Sequence, residues 1–230
     1  MNSNQTIPLQ LPLAIRTSDL SDLTDFYVGD NDELIQYLST FGEHPDQFIY
    51  IWGHHGVGVS FLLQAMANQY KSPYISLKQI PDISPDILNG LSDFPLVCLD
   101  DIDAVSGRAG WQTALFHLFN DSRSKGNRVI FGNHTSPAQA DISLEDLKSR
   151  LFWGQCYQVY ALTDNQKQLA LIERAASKGL LLETLTAQFL LSHYDRDMQA
   201  QFQLLEQLDH ASMTHKRKLT IPFIKDTLNA

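Results

Sequence analysis

One octapeptide constrains this chain more than any other part of it: Gly53-His54-His55-Gly56-Val57-Gly58-Val59-Ser60. The run QFIYIWG (47–53) leads into it and, being β-branched and aromatic, reads as a strand. FLLQAMANQY (61–70) follows, with Phe61, Leu62, Ala65 and Met66 at helical spacing. A glycine-rich turn between a strand and a helix lets successive backbone N–H groups converge on a phosphate at the positive end of the helix. The spacing is that of GxxxxGK[ST] at every place but one, because Val59 stands where the lysine would be. Alone, the segment is equally well a glycine-rich turn that binds nothing.

A second segment tips the balance. PLVCLDD (95–101) is an apolar strand closing on Asp100 and Asp101, about 40 residues after the loop. The first carboxylate at such a strand end holds Mg²⁺ together with the loop Ser/Thr, here Ser60, in phosphate-loop proteins. A solvated acidic turn is the plainer alternative, but loop and strand in this order favour nucleotide binding. Gly53, Gly56, Val57, Gly58, Val59, Ser60, Phe61 and Asp100 are the expected nucleotide contacts, with Ser60 and Asp100 on Mg²⁺. Val59 removes the point charge shared between β- and γ-phosphate. The expected ligand is therefore ADP or another nucleoside diphosphate, held at least as well as the triphosphate and hydrolysed poorly. His54 and His55 read as exposed loop residues, since no third ligand at metal-binding spacing accompanies them.

Beyond the loop, strands and helices alternate. SPYISL (72–77) and RVIFGN (128–133) read as strands, PDILNGL (85–91) as a short helix. WQTALFHLFNDSRSKG (111–126) reads as an amphipathic helix with Trp111, Leu115, Leu118 and Phe119 on one face and Gly126 as its stop. Such alternation predicts an α/β fold with a parallel sheet flanked by helices. After Leu162 the strands stop and helical periodicity takes over, beginning from a cap at Thr163 or Asp164. Three parts are expected: an arm over 1–25, an α/β nucleotide-binding domain over 26–162, and a small all-α lid domain over 163–230.

Composition excludes several classes. Neither a membrane-spanning run of roughly 20 apolar residues nor a signal-peptide pattern at the start is present. Cys98 and Cys156, each in an apolar run, read as reduced thiols of a cytoplasmic protein. The net charge of −9 falls within residues 1–150, with 9 Lys+Arg against 18 Asp+Glu, whereas residues 151–230 balance at 8 and 8. The one compact basic run is His215-Lys216-Arg217-Lys218, so strong independent DNA binding is not expected.

Four segments together resemble the DnaA family of AAA+ proteins, from about Phe26 to Leu228. FYVGDN (26–31) resembles the segment that contacts the nucleotide base, which adds Phe26 and Val28 to the expected site. DLKSRLFWG (146–154) resembles the box carrying the arginine finger, which falls on Arg150. YDRDMQAQF (194–202) resembles the sensor-2 segment, which falls on Arg196, and KRKLTIPFIKDTL (216–228) resembles the closing helix region. Asn133 lies near the sensor-1 position, where GNH replaces the family's Asp-containing turn. The ordinary alternatives are a cap on the preceding helix for Arg150 and a surface pair with Asp195 or Asp197 for Arg196.

The resemblance implies the P-loop AAA+ fold. It also implies a role beside DnaA rather than as DnaA, since the family's C-terminal helix-turn-helix has no counterpart before Ala230. The implied partners are DnaA and the DNA polymerase III sliding clamp; a homo-oligomer is compatible with it. The implied activity is promotion, with the clamp, of hydrolysis of DnaA-bound ATP, hence negative regulation of replication initiation. Arg150 would act as a finger in trans, the chain itself being a poor ATPase. Gln10-Leu11-Pro12-Leu13-Ala14-Ile15 resembles the clamp-binding hexapeptide QLxLPL, with Gln10, Leu11, Leu13 and Ile15 as anchors; an apolar arm tucked onto its own domain is the plainer alternative. Two further functions remain open: an autonomous AAA+ ATPase of the loader or DnaC-like type, and an adaptor with a vestigial site.

Overall fold

The computed structural model describes residues 21–80, 83–215 and 219–228. The proposed clamp-binding residues Gln10, Leu11, Leu13 and Ile15, and Lys216 to Lys218 of the basic run, lie outside them.

Five strands form one parallel sheet: β1 (Phe48–Trp52), β2 (Tyr74–Ser76), β3 (Leu96–Asp100), β4 (Arg128–Asn133) and β5 (Gln155–Gln158), in the order β2-β3-β4-β1-β5. The central strands are apolar between their ends because both their faces are covered, with Asp100, Arg128 and Asn133 at strand termini. Phe48, Tyr50, Val97, Leu99, Val129 and Phe131 point to one layer, while Ile49, Ile51, Leu96, Cys98 and Ile130 point to the other. This period of two sends alternate side chains into two separate cores.

The helices of this domain are α1 (Asp32–Ser39), α2 (Val59–Gln69), α3 (Ala109–Lys125) and α4 (Glu145–Leu151). Leu34 and Leu38 of α1 and Leu62, Leu63 and Met66 of α2 fill one layer; Trp111, Leu115, Leu118 and Phe119 of α3 and Leu147 and Leu151 of α4 fill the other. Gly126, at φ 75°, ends α3 where the sequence suggests.

Several local readings change. The expected helix over 85–91 is a single 3₁₀ turn, Pro85–Leu88, because the chain swings into a left-handed Gly90 two residues later. Ser21–Asp25, assigned to the arm, dock on the α/β domain: Leu23–Asp25 form a 3₁₀ turn, and the Ser21 carbonyl accepts from Asn68 Nδ2 at 3.0 Å. Cys156 does not lie in an apolar interior but is exposed on β5 at the edge of the sheet, whereas Cys98 is buried in β3. The entry to β5 demands glycine, since a Cβ on Gly154 would stand 1.8 Å from the Phe48 carbonyl oxygen.

Four more helices follow: α5 (Asp164–Ser177), α6 (Thr184–His193), α7 (Met198–His215) and α8 (Ile221–Leu228). Thr163 caps α5 in a reciprocal box with Gln166. These helices enclose a third core that includes Leu171, Leu182, Leu190, Leu205, Leu208 and Phe223. None of the described helices is long and apolar enough to cross a membrane.

Candidate functional site

Strands β3, β4 and β1 lie side by side, and their C-terminal ends deliver the loop 53–60, the pair Asp100–Asp101, and Asn133–His134 to one edge of the sheet. Ligands of open parallel sheets bind at this edge. A cavity of about 690 Å³ opens there, roofed by the Phe26–Tyr27 segment and by residues of α5 and α7.

The loop has the backbone its glycines imply. Gly56 and Gly58 are left-handed, at φ 78° and 106°, and Val57 N–H closes a turn onto the His54 carbonyl at 3.3 Å. Gly58 begins α2 without a side-chain cap, so the first-turn N–H groups, which have no intrahelical acceptor, are not capped by its side chain. Gly58 also makes room for Phe26, whose Cε2 would lie 2.7 Å from a Cβ there. Gly53, Gly56, Val57, Gly58, Val59, Ser60, Phe61 and Phe26 thus converge, and all of them except Gly53 line the cavity. The Val59 side chain, 4% exposed, turns into the core beside α2.

Asp100 is 1% exposed at the end of β3. Tyr74 Oη donates to its Oδ2 at 2.8 Å and Asp101 N–H to its Oδ1 at 2.9 Å. Burial pushes its carboxyl above the usual range, against hydrogen bonds from Ser60, Tyr74 and Asp101 that pull the other way. Asp101, rather than Asp100, faces the cavity from a left-handed φ of 59°. It accepts from Ser76 Oγ at 2.6 Å and pairs with His134 Nε2 at 3.2 Å. His134 Nδ1 is buried without a hydrogen-bond partner, and the His55 ring rests on the His134 ring with centroids 3.6 Å apart. Asn133 is committed to structure: its side-chain amide donates to Tyr50 Oη and Thr135 Oγ1 and accepts from Asp103 N–H.

At the other end Phe26 packs on Phe61, with centroids 6.1 Å apart. Tyr27 lines the cavity and Val28 does not; the Val28 carbonyl instead accepts from Asn31. From the lid come Lys167, Arg174, Asp197, Met198 and Phe202. Arg174 pairs with Asp25 across the two domains. Arg196 is outside the cavity lining, exposed and paired with Asp164, an acid 32 positions away rather than either sequence neighbour.

Arg150 lies elsewhere, at the end of α4. Its guanidinium sits 3.8 Å from the centroid of the Trp153 ring, with Phe116 and Phe119 within 5.9 Å, and Arg123 approaches the same indole at 4.5 Å. Trp153 and Phe152 are 47% and 54% exposed, so neither is an anchor buried in the core, and of the rings beside Arg150 Trp153 is open to solvent while Phe119 is buried.

His134, Asp101, Arg174 and Asp197 were not among the residues that sequence reasoning selected. His134, Asp101 and Asp197 adjoin selected positions, Asp197 being named there only as a surface pair for Arg196; Arg174 comes from a domain far along the chain and carries no local signal.

A sheet of this order, with a phosphate-type loop after β1, acids after β3 and a helical lid closing the cavity, defines an AAA+ module. Residues 85–158 match the family model of the bacterial DnaA ATPase domain, and residues 164–228 match that of the Hda lid domain. An uncharacterized protein of Haemophilus influenzae is 39% identical over 228 residues, covering 96% of this chain and 98% of that one. Among solved structures, domain III of the replication initiation protein DnaA from Thermotoga maritima aligns with a TM-score of 0.74 at 19% identity, over 91% of this chain and 95% of that one. AMPPCP-bound DnaA from Aquifex aeolicus aligns at 0.68 and 22% identity, over 86% and 68%. A RuvB variant from Thermotoga maritima aligns at 0.66 and 13%, over 91% and 71%. At such identities these structures speak for the fold. The chain belongs to the Hda-like, DnaA-homologous AAA+ proteins, and is a DnaA-related regulator of replication initiation.

Proposed function

We propose that the protein binds a nucleoside diphosphate in the cavity, associates with the sliding clamp through residues 10–15, and stimulates hydrolysis of ATP bound to DnaA. The observation that carries this reading is the placement of Arg150. A guanidinium stacked on the half-exposed Trp153 ring, away from the chain's own cavity, suits a group that acts on a second protein's nucleotide. Stacking on the indole favours a planar cation without neutralising it. No carboxylate pairs with Arg150 among the described residues, so its charge stays available to a transferring phosphoryl group.

The cavity supplies the other half. The loop N–H groups suit α- and β-phosphates, and Phe26, Tyr27 and Tyr160 offer apolar faces to a base. Of the expected Mg²⁺ pair, Ser60 lines the cavity, while Asp100 is buried behind it with both oxygens hydrogen-bonded, so only the Ser60 hydroxyl is placed to hold the ion directly. Among the described residues no group of three or more His, Cys, Asp or Glu side chains is placed to hold a metal, so the ion would arrive with the phosphates. When bound it would neutralise phosphate charge. Val59 weighs against efficient turnover at this site.

Arg150→Ala is the test. Expected is loss of stimulated hydrolysis of DnaA-bound ATP on the order of 10³-fold, measured with clamp loaded on DNA, with folding and the chain's own ADP binding kept. Arg150→Lys should rescue only in part, because an ammonium lacks the planar fork. Stimulation equal to the parent's in the Ala variant would make Arg150 structural and end the proposal.

A further inference from the structure

The phosphate end of the cavity carries a carboxylate where a phosphate site would want none. Asp197 precedes α7: its Oδ1 accepts Ala200 N–H at 3.0 Å and its carbonyl accepts Gln201 N–H at 2.9 Å. Capping fixes the side chain, and Oδ2 then faces the loop, only 2.5 Å from where a Cβ on Gly56 would stand. Gly56 is one of the two left-handed glycines that shape the cradle.

None of the ion pairs among the described residues takes up this carboxylate, although Lys78 and Lys167 also line the cavity. Val59 supplies no cation, and its side chain is turned into the core. Arg196 pairs with Asp164 and Arg174 with Asp25, whereas Lys167 Nζ donates to the Arg196 carbonyl at 2.9 Å and keeps its charge. Asp101, the other acid at this end, already takes His134 and Ser76. Phosphates in the cradle therefore meet the Asp197 charge at short range in a partly enclosed site, where screening is weaker than in open solvent.

We propose that Asp197 is the residue that sets how many phosphates the site accepts, its carboxylate beside Gly56 opposing the added charge of a triphosphate more than that of a diphosphate. This rests on the cavity being a nucleotide site. A γ-phosphate adds at least one negative charge near an acid that the lid holds in place. A diphosphate, which lacks that added charge, meets less repulsion. Specificity comes here from a repulsive element rather than from an added contact.

Equilibrium titration of ADP and ATP against the full chain and Asp197→Asn tests this. Asn is nearly isosteric and caps helices as well as Asp does, so the fold should be kept. Expected is ATP binding tightened on the order of 10-fold, ADP binding tightened much less, and a parental ATP:ADP discrimination that shrinks as salt rises. Asp197→Ser, which also caps but is shorter, should shift the ratio equally. A ratio unchanged in Asp197→Asn, with both nucleotides bound, overturns the proposal, as does a shift confined to the Ser variant, which would make the effect steric. A parent that binds neither ADP nor ATP instead overturns the reading of the cavity as a nucleotide site.

Discussion

Val59 illustrates how one side chain can serve packing and specificity together. Its backbone belongs to the cradle, while its isopropyl group is buried with Leu62, Leu63 and Met66. Lysine at this place would have to leave that core to reach a phosphate, giving up apolar burial worth about 1.5–3 kcal/mol, less what its methylene stem recovers. Val59→Lys is therefore expected to lower the melting temperature without nucleotide and to show a larger upward shift with saturating ATP than the parent shows. Differential scanning measurements with and without ATP check both parts; a variant as stable as the parent and indifferent to ATP contradicts them. The same reasoning explains why the loop is legible from sequence and its chemistry less so: glycine spacing is local, but the direction of a side chain is set by what surrounds it.

Among the elements, α5 is the one that joins the domains. Its first turn holds the Thr163–Gln166 box, and from it Gln166 Nε2 reaches Asp30 Oδ1 at 3.1 Å while Asp164 takes Arg196. Thr163→Ala removes the oxygen that accepts Gln166 N–H and is expected to destabilise the lid by about 1 kcal/mol in chemical denaturation, with the α/β domain unaffected. Equal loss in both domains would mean that the cap supports the whole molecule. Element by element, what could be read in the sequence was what is buried on two faces or capped locally. β1, β3 and β4 are apolar runs, and α3 and α5 carry their own stop and start signals. β5 and α1 gave no such signal: QCYQ is an edge strand with polar side chains, and α1 buries only Leu34 and Leu38. The loop and Asp100 were visible because motif spacing is a property of the chain. Arg174, and the turn of Asp197 toward the loop, became visible only when the lid was folded over the cavity, and Arg196 faces Asp164 because the lid brings that acid to it.

At the scale of the molecule, the proposed tether and the proposed finger fall on different parts of the chain. If residues 10–15 form the tether, changing Gln10 and Leu11 to Ala should abolish pull-down of the sliding clamp while ADP binding and the melting temperature stay as they were, since a short segment with polar flanks contributes little apolar burial. Clamp binding kept together with a fall in melting temperature would place those residues in the fold instead. The three apolar cores carry a last consequence. Two flank one sheet and share its strands, whereas the third is built from lid residues alone and is connected to the rest through polar contacts such as Asp25–Arg174 and Asp30–Gln166. Cooperativity in unfolding follows shared burial more than scattered ion pairs. The lid is thus expected to melt as a unit of its own, and a ligand bridging loop and lid to merge the two transitions into one.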